Sequence, residues 1–349
     1  MRDAVVVVTG ASSGIGRATA LACAGYGARV VVAARSGAAL REVARECRLR
    51  GGEGLAVPTD VADERAVREL ASRAVERFGR VDVWVNAAGV GILGRYDQVP
   101  PDEVRRLLEV NVLGAVHGAR AVLPVMHGQD RGVLIDVASL LGGVVVAPYM
   151  GAYAMSKAAL VVFDDALRQE LALAGEEHVA VCTVLPAGVD TPFFRHAANR
   201  SGRDLRSLPP VATPERVARA VVRTAVRPRE RVLVGPYARL LVTAHALAPG
   251  PLSRVVARRT GRAYLGPVTA AAPTGGILRT PSGADAAVRG GRHGGLRTAF
   301  RRAAAAALAL GAALGTAVAA SRRLPGDPGR AAASDRRTRK RGPRDRHGS

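Results

Sequence analysis

The sequence predicts an α/β fold with a doubly wound parallel sheet of about seven strands, followed by a C-terminal extension. Three observations carry this expectation. Short Val-rich runs recur from residue 4 to about residue 235, longer segments of helical period separate them, and a glycine cluster follows the first run. Near-continuous apolar runs suit strands buried on both faces of a parallel sheet. Strands alternating with helices suit double winding, which places a ligand at the carboxyl ends of the strands, beside the point where the strand order reverses.

The first run, "AVVVVTG" (4–10), leads into "TGASSGIGRATALACAGYG", where Gly10, Gly14 and Gly16 follow a strand and open a helix. Glycine serves where the backbone turns sharply or must admit a pyrophosphate to peptide N–H groups at a helix N-terminus, although a plain glycine turn also fits this spacing. The second run, "ARVVVAAR" (28–35), ends on Ala34, Arg35 and Ser36 without an acid. An acid there would bind ribose hydroxyls and an arginine accommodates a 2′-phosphate, so Arg35 points to NADP(H), against the alternative of a solvated arginine. The third run, "GLAVPTD" (54–60), closes on Asp60, which reads either as a base contact or as a cap of the next helix. In that helix, "DERAVRELASRAVERF" (63–78), Ala66, Val67, Leu70, Ala71, Ala74, Val75 and Phe78 share one face, with Asp63 and Glu64 in the first turn.

The fourth run, "VDVWVNAAG" (81–89), ends in a small-residue turn that lets the backbone approach a flat ligand or is merely tight. Asn111 then lies among apolar neighbours in the helical pattern "VRRLLEVNVLGAVHGARAVL", as a buried or capping Asn or as a functional one. "GVLIDVAS" (132–139) ends on Ser139, and "HVAVCTVLP" (178–186) and "RVLVG" (231–235) complete the seven. One or two further helices are expected after residue 236, in "PYARLLVTAHALAPGPLSRVVARRTG".

From Gly266 onward Gly, Pro, Thr, Ala and Arg dominate without period, which reads as a basic, largely disordered tail (266–349) behind a domain spanning 1–265. The tail carries +12 of the net charge of +22, and 49 of the 51 basic residues of the chain are arginines. A basic excess concentrated in a tail, in so arginine-biased a chain, argues against nucleic acid as the partner. Residues 303–320, "AAAAALALGAALGTAVAA", lack charge and sit at the lower edge of a bilayer-spanning length. Eleven of these are Ala, so a membrane-associated helix and a soluble Ala-rich helix both stand. Cys23, Cys47 and Cys182 form no CxxC pair and read as reduced core residues, with no metal site implied. The N-terminus enters a strand pattern without an apolar leader, so the expected location is cytoplasmic, with the tail as a candidate membrane contact.

Residues 149–162, "YMGAYAMSKAALVV", hold Lys157, one of only two lysines, four residues after Tyr153. That spacing puts both on one helix face. A phenol with a pKa of about 10 is almost wholly protonated at neutral pH, and a nearby ammonium moves it toward the working range of a general acid or base. Tyr-x3-Lys alone is also an ordinary helix surface. Taken with Thr9, Gly10, Gly14 and Gly16, with "NAAG" (86–89), Asn111 and Ser139, in this order and on these elements, it resembles the classical short-chain dehydrogenase/reductase family over about residues 4–235.

The resemblance implies a Rossmann-type sheet and an NADP(H)-dependent oxidoreductase, with NAD(H) as the other cofactor, acting on a small-molecule carbonyl or secondary alcohol. It implies that Tyr153 is the acid or base, that Lys157 lowers its pKa and holds the nicotinamide ribose, that Ser139 bonds the substrate oxygen, and that Asn111 supports a proton-exchanging water. It implies dinucleotide contacts from Gly10, Ser12, Ser13, Gly14, Ile15, Gly16, Arg35, Asp60, Val61, Asn86, Ala87 and Gly89, and a homo-oligomer paired through the helices after the fourth and fifth strands. "LPAGVDTPF" (185–193) resembles the loop after the sixth strand, so Pro186, Gly188, Val189 and Thr191 join the cofactor set, although Ala187 stands where that family places Gly. Substrate contacts are expected from 140–150 and 192–210, where Phe193 and Phe194 suggest an apolar entrance. The alternative reading is a non-catalytic dinucleotide-sensing or scaffold protein, which would need no acid.

Overall fold

The Val-rich runs become strands β1 (Val5–Thr9), β2 (Arg29–Ala34), β3 (Glu53–Pro58), β4 (Val83–Asn86), β5 (Gly132–Val137), β6 (Val179–Pro186) and β7 (Arg231–Val234). They form one parallel sheet in the order β7-β6-β5-β4-β1-β2-β3, a Rossmann-type arrangement whose order reverses between β1 and β4. Helices α1 (Gly14–Ala24), α2 (Gly37–Leu49), α3 (Glu64–Phe78), α4 (Pro101–Leu108), α5 (Gly114–Gly128), α6 (Gly151–Leu173), α7 (Pro214–Val226), α8 (Ala238–Leu247) and α9 (Pro249–Ala263) follow in chain order. The computed structural model describes residues 1–205, 211–263, 265–268, 277 and 286–290.

The pleat sends alternate side chains to opposite layers. Val6, Val8, Val30 and Val32 bury against Leu40 and Val43 of α2 and Val221 of α7. Val7, Val31, Trp84 and Leu134 bury against Leu70 of α3, Val122 of α5 and Leu167 of α6. This is why the strands read as unbroken apolar runs. Cys23, Cys47 and Cys182 are buried in the first layer, where burial pushes their thiols up to about 12, 11 and 11. Among the described residues no cluster of His, Cys, Asp or Glu is arranged to hold a metal ion.

The second layer is not wholly apolar. Trp84 Nε1 donates to Asn86 Oδ1 at 2.8 Å, and Asn86 Nδ2 donates to Asp136 Oδ1 at 2.7 Å and to the Ala115 carbonyl at 3.3 Å. Two strands away, the Thr183 hydroxyl donates to Asp164 Oδ2 of α6. A polar seam therefore crosses β4, β5 and β6 beneath α5 and α6. Buried groups of this kind persist only when paired.

Residues 286–290, expected within the tail, instead lie against the body: Val288 packs on the first layer, and the Gly290 N–H donates to the Asp190 carbonyl at 3.2 Å. Ile277 is fully buried beside Ile92, Leu107 and Ala198. The segment 303–320 and the basic end of the chain lie outside the described residues, among which no helix is long and apolar enough to cross a membrane.

Replacing Trp84, which is fully buried, by Phe strands the Asn86 oxygen. Trp84→Phe is expected to lower stability by about 1–3 kcal/mol in chemical denaturation, whereas Leu173→Ala, at a 90% exposed position, should change it by less than about 0.5 kcal/mol. Equal effects would contradict the seam.

Candidate active site

A cleft opens at the carboxyl ends of β1 and β4, where the strand order reverses. Thr9 ends β1 and clamps the turn after β4: its hydroxyl oxygen accepts from the N–H groups of Ala87 and Ala88 at 3.1 and 3.3 Å. Gly10 sits at φ +66°, and a Cβ on it would lie 2.7 Å from the Ala88 backbone; one on Gly16 would lie 2.3 Å from the Gly10 carbonyl oxygen. Those two positions admit only glycine, which brings the N-terminus of α1 against the strand ends. The N–H groups of that terminus favour an anion. Ser12, Ser13, Gly14 and Ile15 line the same wall.

The described part of the tail shares this wall. The Gly14 N–H donates to the Ala287 carbonyl at 2.9 Å, and the Arg17 guanidinium donates to the Ala286 carbonyl. Arg17 also bonds Glu42 and Glu46 of α2 at 2.9 and 2.7 Å, so its charge is held between helices. Ala286 lines the cleft, a contribution that a region without sequence period could not announce.

At the end of β2, Ala34, Arg35 and Ser36 border the cleft. Burial lowers the pKa of Arg35; Asp60 raises it and Arg106 lowers it further. Arg41, not singled out in the sequence, has Nη1 3.5 Å from where a Cβ on Gly37 would sit, at the start of α2. Asp60 and Val61 line the floor. Asp60 is not the cap of α3, a place taken by Asp63, which accepts from Arg65 N at 2.9 Å and Ala66 N at 3.3 Å. Its own carboxylate accepts from Ala62 N at 3.1 Å and pairs with Arg106 of α4.

Asn86 is a correction. Its side chain faces the second layer, bonded to Trp84, Asp136 and Ala115, and only Ala87, Ala88 and Gly89 of that turn reach the cleft. Pro186, Gly188 and Val189 likewise give their backbone to neighbouring chain: Pro186 pairs with Val234, Gly188 O accepts from Ala212 N at 2.7 Å, and Val189 bridges to Ala212. Thr191 lines the cleft. Neither Ala187 nor Gly188 takes a positive φ, so Ala187 is accommodated without a left-handed turn.

Tyr153 and Lys157 stand on the first two turns of α6. Tyr153 stands near Ser139, which caps the turn after β5 by accepting from Leu141 N at 3.1 Å. Burial pushes the phenol up to about 12, and the Ser139 hydroxyl pulls the other way. The expected lowering by Lys157 is not seen in this structure: Nζ lies 5.9 Å from the Tyr153 ring centroid and donates to the Val137 carbonyl at 2.9 Å. Lys157 is 4% exposed, and burial pushes its pKa down to about 8.

Asn111 occupies a π-helical turn, Glu109–Leu113, between α4 and α5. The wider turn points its side chain inward, where Oδ1 accepts from Val90 N at 2.8 Å and Nδ2 donates to Val90 O at 2.9 Å and to Ser156 Oγ at 3.0 Å. A Cβ on Gly89 would lie 3.5 Å from Asn111 Oδ1 and 3.7 Å from Lys157 Nζ, so the two polar groups converge on one spot.

The mouth above Tyr153 is apolar. Phe193 meets Tyr153 edge-on at 5.2 Å and Phe194 at 5.4 Å. Leu93, Leu141, Met150 and Ala197 complete the patch, the middle two from the expected 140–150 segment. Residues 206–210 lie outside the described residues. Gly91 and His196 also reach the cleft without having been read from the sequence.

A short chain dehydrogenase family model matches residues 4–201. The chain is 36% identical to an uncharacterized oxidoreductase, YxnA, of Bacillus subtilis, over 73% of this chain and 72% of that protein. It is 32% identical to dehydrogenase/reductase SDR family member 7B of Bos taurus, over 74% and 82% of the two chains. Among solved structures it resembles a short chain dehydrogenase/reductase from Burkholderia phymatum in complex with NAD (TM-score 0.64, 29% identity, 70% of this chain and 94% of that one). It also resembles a metagenomic short-chain oxidoreductase in complex with NADP (TM-score 0.57, 32% identity, 68% and 98%).

Because Asn111 satisfies both backbone groups of Val90, Asn111→Leu strands them at about 1–3 kcal/mol each. Calorimetry is expected to show a thermal midpoint lower by several degrees for Asn111→Leu and nearly unchanged for Val162→Ala, at a 67% exposed position. Similar midpoints for the two variants would contradict this division.

Proposed function

The chain belongs to the classical short-chain dehydrogenase/reductase family, and we propose that within it this protein is an NADP(H)-preferring oxidoreductase acting on the carbonyl or secondary alcohol of an apolar substrate. The observation that carries this reading is the placement of Tyr153 beside Ser139 in a glycine-lined cleft, with Lys157 one turn away on the same helix.

The residues present fit a dinucleotide. Gly10 and Gly16 bring the strand end and the N-terminus of α1 together without an intervening Cβ, and Ser12, Ser13, Gly14 and Ile15 line the cleft beside them. When bound, the nicotinamide supplies or accepts the hydride. The chain's part is to hold and align the reactants and to move one proton. Tyr153 Oη gives its proton to the carbonyl oxygen in reduction and takes it back in oxidation. Ser139 Oγ bonds the same oxygen and fixes the carbonyl against Tyr153. Lys157 holds positive charge beside the phenol and presents donors to the ribose hydroxyls. The convergence of Asn111 Oδ1 and Lys157 Nζ near Gly89 supports a route by which that proton is replaced from solvent. Phe193 and Phe194 exclude water above the reacting carbon and favour an apolar substrate.

Preference for NADP(H) over NAD(H) rests on the end of β2, where Arg35 lines the cleft, Arg41 stands at the start of α2 and no acid is present. A 2′-phosphate there meets positive charge and the N-terminus of α2.

The reading is tested by NADPH and NADH oxidation against ketones and aldehydes of increasing apolar size. Tyr153→Phe is expected to lower kcat/KM by about 10²–10⁴-fold; activity within about tenfold of the parent would overturn the assignment. Arg35→Asp is expected to invert the NADPH/NADH preference, and an unchanged ratio would remove the basis for the cofactor assignment.

A further inference from the structure

Behind Lys157 lie two buried acids that the proposed mechanism does not use. Asp136 on β5 and Asp164 on α6 are both 0% exposed. Asp136 Oδ1 accepts from Asn86 Nδ2, and Asp164 Oδ2 accepts from the Thr183 hydroxyl. The remaining oxygens, Asp136 Oδ2 and Asp164 Oδ1, receive no hydrogen bond from any other donor among the described residues, and the two acids are neighbours: Asp136 is the cross-strand partner of Thr183, the donor to Asp164, and each acid perturbs the other. Two carboxylates are both acceptors, so a hydrogen bond between them requires a proton, and two like charges so close in a dry site cannot both ionise.

Asp136 precedes Val137, whose carbonyl accepts from Lys157 Nζ, and Asp164 stands two helical turns beyond Lys157 on α6. Other charged or titratable groups facing this site are few. From α6, Arg168 donates to the Val181 carbonyl at 3.1 Å, to Thr183 Oγ1 at 3.4 Å and to Asp165, which also pairs with Arg231 of β7. Cys182 of β6 feels Asp164, and burial holds its thiol protonated. Tyr153 lies on the far side of Lys157; β4 and α5 present the neutral Trp84, Asn86 and Ala115. Arg168 pairs with Asp165 and also favours the charged forms of Asp136 and Asp164. Among the described residues, the acids that favour the charged form of Lys157 are Asp136 and Asp164.

We propose that Asp136 and Asp164 share a single proton and, as an acid pair of one net negative charge, are the counterion that keeps Lys157 an ammonium inside the protein. They are positioning residues that act through Lys157. Asp164 holds the proton and donates it to Asp136: burial and the neighbouring Asp136 push Asp164 up to about 10, and burial raises Asp136 as well, though the bonds from Asp164 and Asn86 favour its charged form. Without the pair, only the Val137 carbonyl among the described residues offsets the burial of the Lys157 charge. The consequence for turnover rests on the function proposed above; the charge state of Lys157 does not.

The sequence offers a direct probe, because Lys157 and Lys340 are its only lysines. The full chain labelled with 13C at lysine Cε gives two signals, assigned with Lys340→Arg, and the Lys157 signal should titrate near the value of about 8. Asp164→Asn and Asp136→Asn each leave one carboxylate and should move that titration by less than about half a unit; the double variant has none and should lower it by more than about one unit, a tenfold change. A double variant titrating like the parent, or a single variant matching the double, overturns the proposal. Should the double variant fail to fold, infrared spectra of the parent and of the near-isosteric Asp164→Asn decide: a protonated-carboxyl stretch at neutral pH, shifted in deuterium oxide and lost in Asp164→Asn, supports the shared proton, and its absence from the parent overturns it. With an active carbonyl substrate, the alkaline limb of the reduction profile should move down with the Lys157 titration. A moved titration with an unmoved limb supports the counterion and overturns the role given to Lys157 in turnover.

Discussion

The docking of α6 against β5 and β6 is the interaction on which the site depends. Its apolar part, Leu167 and Leu171 in the second layer, would allow some sliding along the strands. Its polar part does not: Lys157 to the Val137 carbonyl and Thr183 to Asp164 fix the helix at two points along its length. Hydrogen bonds buried this deeply tolerate little displacement, since a slipped partner leaves a desolvated group unpaired. Tyr153, one turn before Lys157, is thereby held at the strand ends beside Ser139. The seam through Asn86 and Trp84 extends the same constraint to β4, and so to the turn that Thr9 clamps.

The cleft follows from the parallel sheet. With both faces covered, polar chemistry can gather only where the strands end, and the reversal of order between β1 and β4 parts the loops there. Gly10 and Gly16 close the gap between backbone segments to distances no side chain permits, so α1 begins at the sheet itself. The family supplies an enzyme that uses a nicotinamide dinucleotide; this chain adds an apolar mouth built on Phe193 and a wall to which Ala286 contributes.

Much of this was legible in the sequence because its causes are local. Strands buried on both faces must be apolar throughout, so seven runs announced seven strands, and the glycines, Ser139, Tyr153 and Lys157 sit at chain positions that element order alone assigns to the strand ends. What failed turned on side-chain direction. Asn86 ends β4 with the same pleat parity as Trp84, which sends it into the second layer rather than the cleft. Asp136 and Asp164 were not singled out at all. The first is one polar letter in a strand, and the second adjoins Asp165 in what resembles a solvated helix face; only the fold brings them together. Residues 286–290 carry no period, and their contact with α1 is made through backbone groups that composition does not reveal.

If this cleft aligns a nicotinamide ring with a substrate carbon held by Ser139 and Tyr153, deuterium passes directly from the ring to that carbon. Following it into product from NADPH with both nicotinamide C4 hydrogens replaced by deuterium is the most direct test. One deuterium is expected on the carbinol carbon of an apolar ketone for each cofactor oxidised. Tight NADPH binding with no deuterium delivered to any carbonyl would contradict that alignment, and would leave a protein that holds the dinucleotide without turning it over.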